Sequence, residues 1–432
     1  MSETQEPPTV TPQSLVSEDR VRAALTKDKG ADAEILSFEV KDFTKKGDNY
    51  ACVVTSAVVR YRQGDKEGEV TYVVKCNPCR NVAASHDFSA YLFNKEGNFY
   101  DEIVPLINAE LEGIGQEPLR MPNCYETHYG TTEEVIVLGD LRPGGFKMFD
   151  RKKGMDVAHT NLTLRELARL HAASTLVQAK MTEPVEEKYP FLKKDFVCVY
   201  ENENPDKQDE DLEQMMGTIF YGSMKTGMAM AQKINGYEKV VDWLKKHARQ
   251  TTDLLKKCLK STSDFDVVCH GDCWNNNILF KYDESGKPVD VRLLDLQICR
   301  KASLATDLNY LLYSSLEGQV RKNNLEAFMK TYYESFSQVL SNAGKKTPFT
   351  LDELKKEYHN QNLFGLLMCL MVVPLVVSEG NDIMDFENMT GDKEEDMKVY
   401  HQKILDQLDN NQLLRPRLLA TFDEMVEYGV IS

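Results

Sequence analysis

Hydrophobic spacing divides the chain into a β-rich first part and a helical second part. Residues 50–61 are dense in Val, Ala and Tyr, residues 63–68 are a polar, Gly-containing break, and residues 70–75 are a second β-branched run. The pair predicts a hairpin. Residues 86–103 change to helical spacing, with Phe88, Leu92, Phe93, Phe99 and Tyr100 on the apolar positions. Val135, Ile136, Val137 and Leu138 make a short apolar strand, ended by Asp140, Pro143, Gly144 and Gly145. From Thr163, a predicted cap, Leu164, Leu167, Ala168, Leu170 and Ala172 line one side of a helix. Helical spacing returns over roughly 210–260, 320–342, 351–377 and 394–428, interrupted by a β-rich island at 265–296. Residues 1–12, rich in Pro, Thr and Glu, read as a flexible tail. The layout predicts an α+β fold, with a β-rich lobe over 13–140 and a mostly helical lobe over 141–432. No internal repeat interrupts it.

Composition narrows the partners. At 432 residues, 42% apolar and 28% charged, the chain is long enough for two or three folding units and too apolar for a disordered one. A net charge of −16 repels nucleic acid unless a local basic patch intervenes. The Lys pairs beginning at Lys45, Lys245 and Lys256 are short and interleaved with apolar residues, so no nucleic-acid partner is expected. The first residues are polar, without an apolar leader. The most hydrophobic stretch, 364–377, is too short to span a membrane and contains Pro374, so it reads as a buried core helix ending near that proline. Ten cysteines without a disulfide-like framework point to a reducing, cytoplasmic compartment. Cys76 and Cys79 form one CxxC with Pro78 inside it, but no second pair stands at zinc-finger spacing. Nothing in the sequence fixes an oligomeric state.

The island carries the chemistry. It reads Val267-Val268-Cys269-His270-Gly271-Asp272-Cys273-Trp274-Asn275-Asn276-Asn277-Ile278-Leu279-Phe280. A turn at Asp283, Ser285 and Gly286 follows, then a strand through Val291 into Asp295. Strand, loop, strand, turn and strand therefore bring Asp272, Asn277 and Asp295 to one edge. Phosphoryl transfer needs that set: one carboxylate to accept or orient a hydroxyl proton, and an amide oxygen with a second carboxylate to hold Mg²⁺ against ATP phosphates. Singly, Asp and Asn in loops cap and turn. The Asp272-to-Asn277 spacing, however, equals that of the protein-kinase catalytic loop, and Asp295 falls where that family's metal-binding Asp stands.

Other segments fit the same chemistry. Tyr72-Val73-Val74-Lys75 ends a strand with a lysine, resembling the kinase strand whose lysine contacts the α- and β-phosphates. Glu96 on the next helix is spaced to bond it, with Glu102 as the competitor. Lys46-Gly47-Asp48-Asn49-Tyr50 makes a tight turn suited to covering phosphates, although it lacks the GxGxxG pattern. No Walker A motif is present: Gly344-Lys345-Lys346-Thr347 has no glycine at the required upstream position.

With these residues in place, the stretch 269–315 resembles the ecdysteroid-kinase-like family, relatives of choline kinases and aminoglycoside phosphotransferases. The resemblance rests on His270, Gly271, Asp272, Trp274, Asn276, Asn277, Phe280, Tyr282 and Asp283. It continues through Gly286, Pro288, Asp295 and Gln297 to Asp307, Leu308, Tyr310, Leu312, Tyr313, Ser314 and Ser315. Similarity extends to residues 46–51, to Phe93, Glu96, Phe99 and Tyr100, and to Leu170-His171-Ala172-Ala173-Ser174. It implies a two-lobed, protein-kinase-like fold and ATP-dependent phosphorylation of a hydroxyl on a small lipophilic molecule, an ecdysteroid or a steroid or xenobiotic alcohol. The implied roles are Asp272 as catalytic base and Asn277 and Asp295 as Mg²⁺ ligands. Lys75, oriented by Glu96, and Asn49 would hold ATP phosphates, with Val137, Leu138, Gly139 and Asp140 as the adenine-binding hinge. His270 and Asp307 brace the loop, and His171 reads as a satisfied core histidine.

Departures from the family pattern are Leu296 in place of an aromatic and Gly139 in place of a hinge glutamate. Residues 296–306 leave no room for a protein-kinase activation segment before Asp307. A choline- or ethanolamine-type kinase stays open, with Trp274 and Tyr310 as candidates for its cation pocket. So does a catalytically inactive nucleotide-binding scaffold. The acceptor site is expected near 200–245 and 360–390, where Met215, Met216, Met224, Met228 and Met230 either wall a pocket or fill an ordinary helix core.

Overall fold

The computed structural model of the chain describes residues 11–43, 52–79, 83–130, 133–193, 207–260, 265–378 and 393–432. The chain forms two compact units, Met1–Gly97 with Pro122–Asp140, and Asn98–Met121 with Leu141–Ser432. The segment Asn98–Met121 thus groups with the second unit although it precedes the end of the first.

In the first unit, α1 (Glu18–Lys29) leads into five antiparallel strands: β1 (Ala33–Asp42), β2 (Val53–Gln63), β3 (Lys66–Cys76), β4 (Cys124–His128) and β5 (Val135–Gly139). Their spatial order is β1-β2-β3-β5-β4. The predicted hairpin is β2–β3, and its turn is tighter than the polar break: Gln63 pairs with Lys66 around Gly64, whose φ is 58°. α1 was not foreseen, because only Val21, Ala24 and Leu25 mark its buried face. Ser17 caps it, and acidic first-turn and basic last-turn residues complement its dipole. Those apolar residues pack with Ala57, Val59, Tyr72, Val74, Val135 and Val137 into the core of the sheet. The helix predicted over 86–103 is α2 (Ala83–Asn98) followed by one wider turn, Phe99–Ile103. Cys76 and Cys79 are free thiols, and burial pushes Cys76 up to about 12.

The second unit contains α3 (Val104–Gly113), β6 (Phe146–Met148), α4 (Val157–Lys180), α5 (Val185–Lys188), α6 (Lys207–Gln232), α7 (Glu238–His247) and α8 (Thr251–Leu259). The island follows as β7 (Asp266–Cys269), β8 (Ile278–Tyr282), β9 (Pro288–Leu293) and β10 (Arg300–Ser303). The chain closes with α9 (Leu304–Ser315), α10 (Gly318–Asn342), α11 (Leu351–Asn360), α12 (Asn362–Val377), α13 (Lys393–Asn410) and α14 (Leu414–Glu427). The strands make two small antiparallel sheets, β6-β8-β9 and β10-β7. A β-sheet unit followed by a mostly helical unit is the α+β layout that the sequence predicts.

Thr163 is not a cap. α4 starts earlier, where Asp156 accepts from the N–H groups of Ala158 and His159. Thr163 lies inside the helix and donates to the His159 carbonyl. α12 is the buried core helix that the sequence predicts, ending at Val377, three residues after Pro374. Val373, Val376 and Val377 are buried, and that packing outweighs the bond that proline cannot give to the Leu370 carbonyl. No single helix among the described residues is long and apolar enough to cross a membrane; α11 and α12 pass such a test only as a pair bent by 52°.

α9 is buried along its entire length. It lies so close to α12 that a Cβ at Gly365 would fall 2.6 Å from Tyr313 and 2.7 Å from Asn309. Next to this contact, Arg321 of α10 makes a bidentate pair with Glu424 of α14, at 2.9 and 2.7 Å. Its guanidinium also covers the Tyr313 ring at 4.2 Å. Both charges are buried, so removing one strands the other. Glu424→Gln is expected to lower the unfolding free energy by ~3–5 kcal/mol, read from the urea midpoint at unchanged slope. A loss below about 1 kcal/mol, the range of exposed pairs, would contradict this reading.

Candidate active site

The island folds as its pattern dictates, and what holds its loop is a single buried carboxylate. Asp307, on the first turns of α9, accepts from the N–H of His270 at 2.7 Å and from the N–H of Gly271 at 2.9 Å. His171 of α4 binds the same carboxylate through Nε2 at 3.0 Å, while its Nδ1 is hydrogen-bonded to the Tyr332 hydroxyl at 2.7 Å. Burial alone would raise Asp307, but the His171 hydrogen bond and charge, with His270 and Arg300, hold it below the usual carboxylate range. Three residues along α4, Ser174 accepts from the N–H of Val268 and so caps the free edge of β7. Asp307 therefore braces the loop, as expected. His171 is more than a satisfied core residue, because it fixes the brace.

His171, Cys269 and Asp307 bring a possible ligand atom each to within 4.8 Å of one another. Both His171 nitrogens are already hydrogen-bonded and Cys269 is pushed well above its usual value by burial. His171 and Asp307 are a hydrogen-bonded brace, and Cys269 Sγ is turned to the Ala302 and Ser303 carbonyls and the Thr306 hydroxyl.

Gly271 permits the turn into Asp272. Its φ is +86°, and a Cβ there would lie 2.0 Å from the Ile298 carbonyl oxygen. Asp272 is 6% exposed. One carboxylate oxygen accepts from the Tyr310 hydroxyl at 2.6 Å and the other from Asn277 Nδ2 at 2.9 Å. Asn277 Nδ2 also donates to the Asp272 carbonyl at 2.9 Å, which leaves Oδ1 as the atom of Asn277 able to ligate a cation. His270 is buried and held below its ordinary pKa by desolvation; its Nδ1 accepts from the Asp272 N–H at 3.2 Å. Burial first, then the negative charge of Asp295, pushes Asp272 up to about 7 against the hydrogen bonds from Tyr310 and Asn277.

Asp295 follows β9, where the Leu294 N–H donates to the Asn277 carbonyl and ties the two loop ends together. Its φ of 69° is left-handed, a conformation that non-glycine residues seldom hold and that recurs where a side chain must be aimed. Gln297 Nε2 donates to its carboxylate at 3.3 Å. Leu296, at the family's aromatic position, is fully buried. Sequence reading placed Asp272, Asn277 and Asp295 together, and the fold brings them together. It missed Tyr310 as the partner of Asp272. The available signal was its place three residues after Asp307, which puts both on one face of α9.

In the first unit, Lys75 on β3 is paired with Glu96 on α2, and both are buried. Glu102 lies in the wider turn and is exposed, so Glu96 is the partner. β5 is flanked by β3 on one side and β4 on the other, with Val137, Leu138 and Gly139 all in register with β3. Gly139 also donates to the Asn123 carbonyl at 2.9 Å. The backbone of Val137 and Leu138 is thus used within the sheet. A Cβ at Gly139 would make ordinary contact with Tyr125 at 3.4 Å, so sterics do not demand glycine there. Asn49 and the turn around it lie outside the described residues. On α6, Met216, Met224 and Met230 are buried core residues and Met228 is half-buried, while the side chain of Met215 is outside the described ones.

Among curated proteins, the chain is 21% identical over 328 residues to a Caenorhabditis elegans protein named uncharacterized oxidoreductase dhs-27, a match covering 71% of this chain and 36% of that protein. The chain therefore spans little more than a third of that relative's length. Solved structures similar to it include a Plasmodium vivax ethanolamine kinase, with a TM-score of 0.38, 10% identity, and coverage of 86% of this chain and 82% of that one. A glucosamine kinase matches with a TM-score of 0.34, 12% identity, and coverage of 93% and 98%. A thermostable mutant of an aminoglycoside phosphotransferase matches with a TM-score of 0.30, 10% identity, and coverage of 90% and 98%. The model of the ecdysteroid kinase-like family matches residues 46–345, and the chain belongs to that family.

Proposed function

We propose that this chain is an ATP-dependent small-molecule kinase that transfers the γ-phosphoryl group to a hydroxyl of a lipophilic acceptor, an ecdysteroid or another steroid or xenobiotic alcohol. The observation that carries the reading is the Asp272 carboxylate, held between Asn277 and Tyr310 and facing the charge of Asp295. Family membership supports the reaction class. The lipophilic acceptor rests on the family resemblance alone.

The oxygen donors fit Mg²⁺. Asn277 Oδ1 and the Asp295 carboxylate are hard oxygen ligands of the type this ion prefers. Bound there, Mg²⁺ would neutralise phosphate charge. Asp272 orients the acceptor hydroxyl and takes up its proton, which its raised pKa favours. Lys75, kept extended by Glu96, contacts the phosphates. The adenine contact falls to Asp140 onward, since the backbone of Val137 and Leu138 is engaged in the sheet. A choline- or ethanolamine-type kinase is the alternative, with Trp274 and Tyr310 as the aromatic candidates for its cation pocket, and the family resemblance points away from it.

Asp272→Asn should slow phosphotransfer by roughly 10²–10⁴-fold, measured as ADP release with a responsive acceptor. Full turnover in that variant would remove Asp272 from the role. Mg·ATP should raise the melting temperature of the wild-type protein more than ATP with chelator does. Asp295→Asn should abolish that Mg²⁺-dependent increment. An equal increment in Asp295→Asn would place the metal elsewhere, and no shift in the wild type, together with no ATP consumption, would favour an inactive scaffold. A panel of ecdysteroids, sterols, plant alcohols and choline, scored by ATP consumption, tests the acceptor class; turnover of choline alone would overturn it.

A further inference from the structure

We propose that Tyr310 is a positioning residue that holds the Asp272 carboxylate in its reactive orientation, an inference that rests on the phosphotransfer reading above. Tyr310 stands three residues after Asp307, so both side chains leave one face of α9. Asp307 takes the backbone of the loop at His270 and Gly271, and Tyr310 takes the side chain at the loop's next residue. One helix face thereby fixes both the position of the loop and the orientation of its carboxylate.

The geometry is specific. The phenolic oxygen lies 2.6 Å from one Asp272 oxygen, in the short range of hydroxyl bonds to an ionised acceptor. Asn277 binds the other oxygen at 2.9 Å. With a donor on each oxygen, turning the carboxylate about its own axis breaks two hydrogen bonds in a buried site. That restraint has a task. Asp295 repels Asp272, and without a donor opposite Asn277 the carboxylate would swing away from this neighbour. Tyr310 is itself 4% exposed on a helix buried throughout, so its hydroxyl is as fixed as the helix.

Tyr313, one turn further along α9, gives the contrast. Its ring is equally buried, but its hydroxyl lies toward Tyr358 and not toward Asp272. The oxygen of Tyr310 is there for Asp272.

The test compares Tyr310→Phe, Tyr313→Phe, Asp272→Asn and the double variant Tyr310→Phe/Asp272→Asn in the full chain. Steady-state ATP turnover and a crystal structure of Tyr310→Phe are the readouts. Tyr310→Phe should lower kcat by roughly 10- to 100-fold with KM for Mg·ATP within about twofold, because a misaligned reacting group loses rate and not ground-state binding. In the Asp272→Asn background the same change should have no further effect, since Tyr310 acts only through that carboxylate. Tyr313→Phe should turn over like the wild type. In the crystal structure the Asp272 carboxylate should be rotated from its present plane.

Wild-type kcat in Tyr310→Phe beside a slow Asp272→Asn, equal slowing by Tyr310→Phe in both backgrounds, or an unmoved Asp272 carboxylate would each overturn this inference alone. Full turnover in Asp272→Asn, or none in the wild type, would overturn the phosphotransfer reading, and the orientation of Asp272 in the crystal would still decide whether Tyr310 positions it.

Discussion

The second unit depends on one buried carboxylate. Asp307 is fully enclosed, and an ion in that setting persists only if each lone pair finds a donor. Its donors are two consecutive backbone N–H groups of the island loop and the ring of His171. The requirement runs in both directions. Asp307 needs the loop in order to stay ionised, and the loop needs Asp307 because its N–H groups are buried as well. This mutual dependence sets where β7 ends, where Gly271 takes its positive φ, and where Asp272 emerges.

From that point the arrangement propagates through hydrogen bonds and short stretches of chain. Asp272 binds Asn277, the Asn277 carbonyl binds Leu294, and Leu294 leads into the left-handed Asp295. A carboxylate pair that repels is thus held by hydrogen bonds at every step. Asp272 retains a high proton affinity as a consequence of burial and of Asp295, which is the property a base for a hydroxyl proton requires. The helices serve this geometry. α9 is buried on all sides, and α12 approaches it through Gly365 with no room for a larger residue. The Arg321–Glu424 pair secures the neighbouring helices.

How much of this is legible in sequence follows from the range of each interaction. The island could be read because strand, turn and strand are local, and because Asp272 and Asn277 are only five residues apart. The β2–β3 hairpin and Lys75 with Glu96 are similarly local. Long-range partners could not be read: His171 and Asp307 are 136 residues apart, and their pairing becomes visible only in three dimensions. Tyr310 was visible as a motif residue on the face of α9 that carries Asp307, but its bond to Asp272, 38 residues away, becomes visible only in three dimensions. The error at Thr163 is one of capping. A cap is worth about 1 kcal/mol, and a helix whose face is buried continues through such a residue. α1 escaped notice because a short helix with few apolar positions is stabilised by the sheet beneath it rather than by its own sequence.

The most direct measurement of the central claim is amide hydrogen exchange across residues 266–280 in Asp307→Asn, compared with the wild type. The asparagine keeps the shape but replaces one acceptor oxygen with an N–H donor, so either the His270 or the Gly271 amide loses its partner. The account predicts that protection collapses over residues 266–277 while β8 and β9 keep theirs. Wild-type protection at His270 and Gly271 in Asp307→Asn would contradict the claim that this carboxylate places Asp272.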